Sequence, residues 1–281
     1  MLNALSVDVE DWFQVGAFEK VIARDDWDSL PQRAERNTEA VLALFERAGV
    51  KATFFTLGWI AARYPALIRR ISEAGHEVAS HGWDHRRVHT MDAAVFRADL
   101  EKARIAIEDA CGHSPVGYRA PSFSIDARTP WAHRVLAEEG YAYSSSVAPV
   151  RHDHYGWPEA PRFAHRPIAG EKLIELPVTT VDVAGRRLAA GGGGFFRLLP
   201  YRFSSWAIGR VNRDEARPAV FYFHPWEIDP HQPRVNHAPL KSRLRHYSRL
   251  SAMEGKLLRL LRSFSWGRTD EVVANEQARL A

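Results

Sequence analysis

Apolar and polar positions along the chain alternate between two periods. Short runs with strand character, LNALSV (2–7), KATFFTL (51–57), HEVASH (76–81), VGYRAP (116–121) and YAYSSSV (141–147), are separated by segments with helical spacing. The spacing predicts a helix over 33–48, with Val41, Leu42, Leu44 and Phe45 as its apolar stripe and Gly49 as its stop. It predicts another through IAARYPALIRRISEAG, closing at Gly75. The clearest is MDAAVFRADLEKARIAIEDACG, with Asp92 near its start and Gly112 after it, and a further one runs from Thr129 to Glu139. Strand followed by helix, at least four times over, predicts a parallel sheet wrapped by helices, open or closed into a barrel. From about Ala148 to Arg217 the pattern turns irregular, through RHDHYGWPEAPRFAHRP and AAGGGGFFRLLPYRF. It reads as long loops with one strand at KLIELPVTTVDV, before a last apolar run at AVFYFHPWE (219–227). The GGGG at 191–194 lacks the Gly-Lys-Ser/Thr of a phosphate loop and reads as a plain loop, with a lid or a close backbone approach as alternatives. The expectation is one domain over 1–281, with a core at about 3–230 and a helical extension at about 238–281.

Composition narrows the function classes. With 281 residues, 46% of them hydrophobic, the chain can bury a large core. Its 38 basic residues are interleaved with 34 acidic ones for a net charge of +4, which argues against nucleic-acid binding driven by bulk charge. The single cysteine, Cys111, excludes an intrachain disulfide framework and any multi-cysteine zinc site, so a metal would need histidine and carboxylate ligands. The start, MLNALSVDVEDWF, does not read as a secretory signal, and no apolar run approaches the roughly 18 residues a membrane span needs. A cytoplasmic location is therefore expected. The tail LKSRLRHYSRLSAMEGKLLRLLRSF (240–264) places Leu240, Leu244, Tyr247 and Leu250 at helical spacing among many basic residues. Such a helix packs on its own domain or lies on an anionic inner-membrane surface.

Candidate chemistry collects at the ends of predicted strands. ASHGWDHRRVH (79–89) carries histidines at 81, 85 and 89, and two histidines four apart share one face of a helical turn. Spacing alone does not separate ligands from polar surface residues. Position does, because Asp8, His81, Arg119 and His224 each fall at the C-terminal end of a strand, where parallel α/β folds build their sites. SVDVEDW offers Asp8, Glu10 and Asp11, and in extended chain Asp8 and Glu10 point to one side, so one can hold a metal while the other handles a proton. With His81 and His85, one carboxylate completes a two-histidine, one-carboxylate set that suits zinc and leaves room for water. Arg119, in GYRAPSF, would keep such a carboxylate ionised, and His224, in FYFHPWE, would act as general acid to a leaving amine. HEVASH has one residue too many for a zincin motif and is set aside.

SVDVEDW, SHGWDH, YRAPSF and YFHPWE, in this order and spacing, resemble the polysaccharide deacetylase superfamily (NodB homology, carbohydrate esterase family 4) over residues 3–230. DVEDWF and NHAPLKSRLRHY resemble its branch associated with bacterial exopolysaccharide and exosortase (PEP-CTERM) loci. The resemblance implies an α/β fold, a distorted (β/α) barrel of fewer than eight repeats. It implies Asp8 as general base, Arg119 as its positioner with Pro121 beside it, His224 as general acid, and His81 and His85 as metal ligands. Glu10 is preferred to Asp11 as the carboxylate ligand. Pro121, Tyr222 and Trp226 are expected to contact substrate, and Trp157, Phe195, Phe196 and Tyr201 are aromatic candidates for stacking on sugar rings. Zinc is the expected metal, with cobalt, nickel or iron fitting the same donors. Ser144 stands where relatives often carry an aspartate, which removes the expected carboxylate partner of the general acid. The implied activity is removal of N-acetyl groups from amino sugars of a polysaccharide or its lipid-linked precursor. An allantoinase-like amide hydrolase and a degenerate carbohydrate-binding protein are the competing readings.

Overall fold

The strand that opens the chain, β1 (Leu2–Val9), is buried along nearly its whole length, as a strand with neighbours on both edges must be. The computed structural model describes residues 1–152 and 155–280; Asp153 and His154 of the loop predicted around 151–167, and Ala281 of the C-terminal extension, lie outside the described residues. Helix α1 (Ala34–Ala48) follows, stopped by Gly49 at φ 64°. Next comes β2 (Thr53–Thr56), whose side chains are all buried. The segment predicted as one helix is two, α2 (Gly58–Arg63) and α3 (Pro65–Glu73). Pro65 has no N–H to continue the ladder, so it starts a new helix instead. β3 (Glu77–Ser80) leads to α4 (Ala93–Cys111), where Asp92 accepts the Val95 N–H as N-cap and Gly112 closes the end at φ 81°. Then come β4 (Gly117–Tyr118), α5 (Ala132–Glu138), β5 (Tyr143–Ser144) and β6 (Ile174–Glu175).

The stretch read as long loops carries more order than its pattern suggested. β7 (Thr180–Val183) and β8 (Arg186–Ala189) form an antiparallel hairpin, α6 (Gly193–Leu198) starts inside the glycine run, and α7 (Tyr201–Arg213) is a full helix. After these come β9 (Val220–Phe223), α8 (Leu240–Tyr247), α9 (Met253–Ser263), β10 (Ser265–Gly267) and α10 (Thr269–Leu280). Among the described residues, eight strands make one parallel sheet in the order β10-β1-β2-β3-β4-β5-β6, with β9 also on β1. The sheet curls into a half-barrel, the distorted barrel expected. The gap between β6 and β9 is bridged by single contacts: Thr179 N to Val220 O (3.3 Å) and Tyr222 N to Gly191 O (2.8 Å).

The glycine run is a close backbone approach and not a plain loop. A Cβ at Gly191 would stand 2.3 Å from Val220 O, and one at Gly193 would stand 2.3 Å from a Glu227 carboxylate oxygen. Only bare backbone fits between β9 and the site. The main core joins Leu5, Val7 and Val9 to Phe45, Phe54, Phe221, Phe223 and, from the tail, Met253, Leu257 and Leu260. The tail is therefore split: α9 is packed into the core, while Leu240 and Leu244 of α8 stand exposed.

Candidate active site

Because the strands are parallel, their C-terminal ends open on one side, and there stand Asp8, next to last in β1, Glu10 just after it, His81 after β3, Arg119 after β4 and His224 after β9. Asp11 fixes which way this first turn faces. Its carboxylate accepts the backbone N–H groups of Trp12, Arg33 and Ala34 at 2.7–2.8 Å, hooking the start of α1. Burial pushes its carboxyl up to about 6 against those three donors. Asp11 is thus a structural hook, and Glu10, its neighbour, faces the opposite way.

Glu10, His81 and His85 are buried and each offers one donor atom within 4.8 Å of the others. The two histidines do not share a helical face, as their spacing suggested. The segment between them is non-helical, and Gly82 (φ 75°) and His85 (φ 60°) turn the chain back on itself. A Cβ at Gly82 would meet Asp99 Oδ2 at 2.8 Å, and that same oxygen accepts the Trp83 N–H, so the turn requires glycine. His81 donates Nδ1–H to the Arg119 carbonyl at 2.8 Å, which leaves the Nε2 lone pair for the cluster. Burial lowers His81 to about 4, with His85 adding to the effect and Asp8 opposing it, so the ring is neutral. Burial alone would raise Glu10, but His85 and His224, with His81, outweigh it and bring the carboxyl to about 2. The donor set fits a divalent metal, and one detail supports the fit. Glu10 Oε2 is buried without a hydrogen bond, although His85 Nε2 lies 3.0 Å away. A buried carboxylate oxygen left without a well-formed hydrogen bond beside an imidazole nitrogen suits a shared cation. His89 stays outside, its Nδ1 3.0 Å from an Arg128 nitrogen.

Beside this cluster, Arg119 is fully buried and donates from Nη1 to Asp8 Oδ1 (2.7 Å) and Ser6 Oγ (2.8 Å). Its other nitrogens donate to the carbonyl and hydroxyl of Ser145 at 3.0 and 2.9 Å. Opposite, His224 Nε2 lies 3.4 Å from Glu10 Oε1 and 4.0 Å from Asp8 Oδ2. His224 Nδ1 donates to Glu227 Oε1 at 2.9 Å, and Arg197 Nε donates to Glu227 Oε2 at 2.6 Å. Arg197 is itself buried and also donates to the carbonyls of Arg245, His246 and Ser248. Burial would lower His224, but Glu10, Glu227 and Asp8 outweigh it and raise the ring to about 9. Ser144 takes no part: its hydroxyl donates to Ser146 Oγ. The carboxylate partner of His224 is Glu227, three residues on. That glutamate stands inside the HPWE motif, where a capping turn was readable; Arg197, in the stretch taken for loop, gave no local signal.

Asp8, Glu10, His81, His85, Arg197 and His224 line one cavity of about 250 Å3, together with Tyr155, Phe195, Tyr222 and residues of α8. Tyr222, expected to contact substrate, is among the lining residues. Trp226 reaches the cavity only by its edge, because its ring is stacked between His224 (5.1 Å) and His246 (4.1 Å), so both faces are covered and sugar stacking is closed to it. Its Nε1 donates to Glu10 Oε1 at 3.3 Å. Pro121 does not line the cavity; it is buried at the start of a short turn. Of the proposed stacking aromatics, Phe195 lines the cavity. Phe196 is buried in the core, Tyr201 packs on it, and Trp157 belongs to a second apolar cluster.

Residues 24–143 match the family described as polysaccharide deacetylase, and residues 145–274 match a domain of unknown function, DUF3473. Similar proteins include the peptidoglycan-N-acetylglucosamine deacetylase PgdA of Listeria monocytogenes (37% identical, over 30% of this chain and 18% of that protein). A chitooligosaccharide deacetylase of Bradyrhizobium is 35% identical over 39% of this chain and 48% of that protein. The chain thus spans less than half the length of these relatives. A solved structure of a candidate polysaccharide deacetylase from Mycobacterium smegmatis superposes with TM-score 0.64 and 20% identity, over 100% of this chain and 91% of that one. The Puue allantoinase superposes with TM-score 0.62 and 16% identity, over 99% and 90% of the two chains. At these identities both show the fold alone.

Proposed function

We propose that the chain, which matches the polysaccharide deacetylase family over residues 24–143 and DUF3473 over residues 145–274, is a deacetylase of that family (NodB, carbohydrate esterase 4) and removes acetyl groups from the amino sugars of a polysaccharide or its lipid-linked precursor. The observation that carries this reading is the convergence on one cavity of Glu10, His81 and His85, of Asp8 with Arg119 behind it, and of His224 with Glu227 behind it. Glu10, His81 and His85 would hold the metal, with zinc the first choice for two imidazoles and one carboxylate. When bound, such a metal lowers the pKa of water and polarises an amide carbonyl.

The protein's own groups handle the protons. Asp8, held at Oδ1 by Arg119, takes a proton from the attacking water at its other oxygen, Oδ2. His224, protonated at neutral pH, gives the Nε2 proton to the departing sugar nitrogen. Water adds to the acetamide carbon, the C–N bond breaks, and acetate and a free amine result. Glu227 accepts the Nδ1–H and so keeps a transferable proton on Nε2, while Arg197 holds Glu227 in place. The two matched segments act as one catalytic unit in this reading, since β6, β9 and β10 of the second complete the sheet of the first. DVEDWF and NHAPLKSRLRHY support a role in exopolysaccharide biosynthesis of the exosortase-associated kind, on the cytoplasmic side. No helix among the described residues is long and apolar enough to cross a membrane.

The test is acetate release from N-acetylglucosamine oligomers by zinc-loaded protein, with allantoin and related ureides run alongside. Turnover of the oligomers supports the proposal. Turnover of ureides alone replaces it with the amide-hydrolase reading, and sugar binding without turnover by metal-replete protein would leave a binding module.

A further inference from the structure

We propose that the outer face of α8 docks on an anionic lipid bilayer and borders the mouth of the candidate active site. The sequence LKSRLRHY places Leu240 and Leu244 one turn apart on the same side of the helix. They are 67% and 58% exposed, more than any other large apolar residue among those described. On the opposite side, His246 is buried and Ser242 lines the cavity, so the helix is seated and its leucines point away from the domain. Their exposure is not shared by the rest of the tail. Leu250, Met253, Leu257 and Leu260 are buried in the domain, which leaves Leu240 and Leu244 as the apolar residues the fold does not cover.

The charge around them selects the partner. Residues 230–253 carry five basic side chains, Arg234, Lys241, Arg243, Arg245 and Arg249, and no acidic one, although the whole chain balances 38 against 34. Outward leucines flanked by lysine and arginine match an interface with apolar depth and a negative surface. A soluble polyanion would use the charges and leave the leucines idle. The position gives the contact a consequence: Ser242, Arg245 and His246 of α8 and the half-exposed Leu198 of α6 all line the cavity. A docked α8 would therefore hold the cavity, which lies on the helix's other side, within about one helix diameter (~10 Å) of the bilayer, within reach of a lipid-linked glycan. The docking stands or falls independently of the deacetylase reading, because its readout is binding alone.

The experiment is co-sedimentation of the full chain with vesicles of phosphatidylcholine alone or mixed equally with phosphatidylglycerol, at low and high salt. Binding to the anionic vesicles is expected, weakened by salt and by the charge reversal K241E/R243E. L240D/L244D should reduce it about tenfold or more with an unchanged melting temperature. L240S/L244S, a milder change at the same exposed positions, repeats the test should the aspartates disturb folding. No binding of the wild type to anionic vesicles overturns the proposal. So does binding that salt abolishes but that neither leucine pair alters, which would assign the basic surface to an acidic glycan.

Discussion

Two fully buried arginines flank the candidate site, and each holds a carboxylate. Arg119 grips Asp8 at 2.7 Å and is anchored by Ser6 within β1 and by Ser145 just beyond β5. Arg197 grips Glu227 at 2.6 Å and is anchored by the carbonyls of Arg245, His246 and Ser248 at the end of α8. In the proposed reaction the first pair would lie among the groups that bind and activate water, and the second behind the group that would give a proton away. Residues 24–143 and the strand before them would then bring most of one half-reaction, and the 145–274 segment the other. Neither segment holds the whole site. The difference also separates two kinds of rigidity: Arg119 depends on the sheet, whereas Arg197 ties the general acid to the same helix whose leucines face outward.

The largest effect should come from the water side. Glu10→Ala or His85→Ala should abolish metal binding, from about one equivalent per chain to none, and lower turnover by about a thousandfold or more. Metal retained at full occupancy in either variant would break the assignment of the trio. Asp8→Asn should keep the metal and lower kcat by roughly a hundred- to ten-thousandfold, the range for removing a general base. On the acid side a smaller loss is expected, because Glu227 only orients His224. Glu227→Gln should lower kcat by about ten- to a hundredfold with metal content unchanged, an estimate scaled down from direct acid–base catalysis.

Stability sharpens the same comparison. Arg197→Met leaves Glu227 buried with no cation beside its Oε2 and should cost roughly 3–5 kcal/mol by urea denaturation. Adding Glu227→Gln to that variant should restore much of the stability but none of the lost kcat. Full recovery of both would mean that the pair serves the fold and not the proton donor.

The water side was far easier to read from the sequence, for physical reasons. Asp8, His81 and Arg119 sit at strand ends, as His224 does on the acid side, and a buried strand announces itself by a dense apolar run. Glu227 shares a turn with His224, so its role could be found from the HPWE spacing. Arg197 could not. It lies beyond four glycines that look like a loop but are glycine because Val220 O and Glu227 leave no room for a Cβ at Gly191 and Gly193, a requirement set by distant chain. Other misses had local signals. Ala184 (φ 48°) and Gly185 (φ 74°) form a tight hairpin turn between alternating runs, and Phe203, Ala207, Ile208 and Val211 repeat at helical spacing in α7. His85 shows the opposite lesson, since its pairing with His81 was anticipated but rests on a positive-φ turn and not on a helix.

The smallest expected effect isolates the frame from the site. His76 lies just before β3, its Nδ1 accepting the Ala52 N–H at 3.1 Å and its ring packed 5.0 Å from Phe54 and 5.8 Å from Phe45. Burial, with Lys51 adding to it, lowers its pKa from 6.5 to about 4. Between those values the unfolded chain binds a proton that the folded chain refuses, so stability rises with pH across this window and is lost as pH falls. From pH 7.5 to 5 this group's share of the loss should be about 1–2 kcal/mol in urea midpoints, and His76→Asn, which keeps an acceptor for Ala52, should remove that share from the slope set jointly with His81 and Asp11. Glu227→Gln and Asp8→Asn should leave it intact, because His76 serves the sheet beneath both arginines and neither half-reaction above it. A slope that vanished with Glu227 instead would place the acid sensitivity in the site and undo the separation.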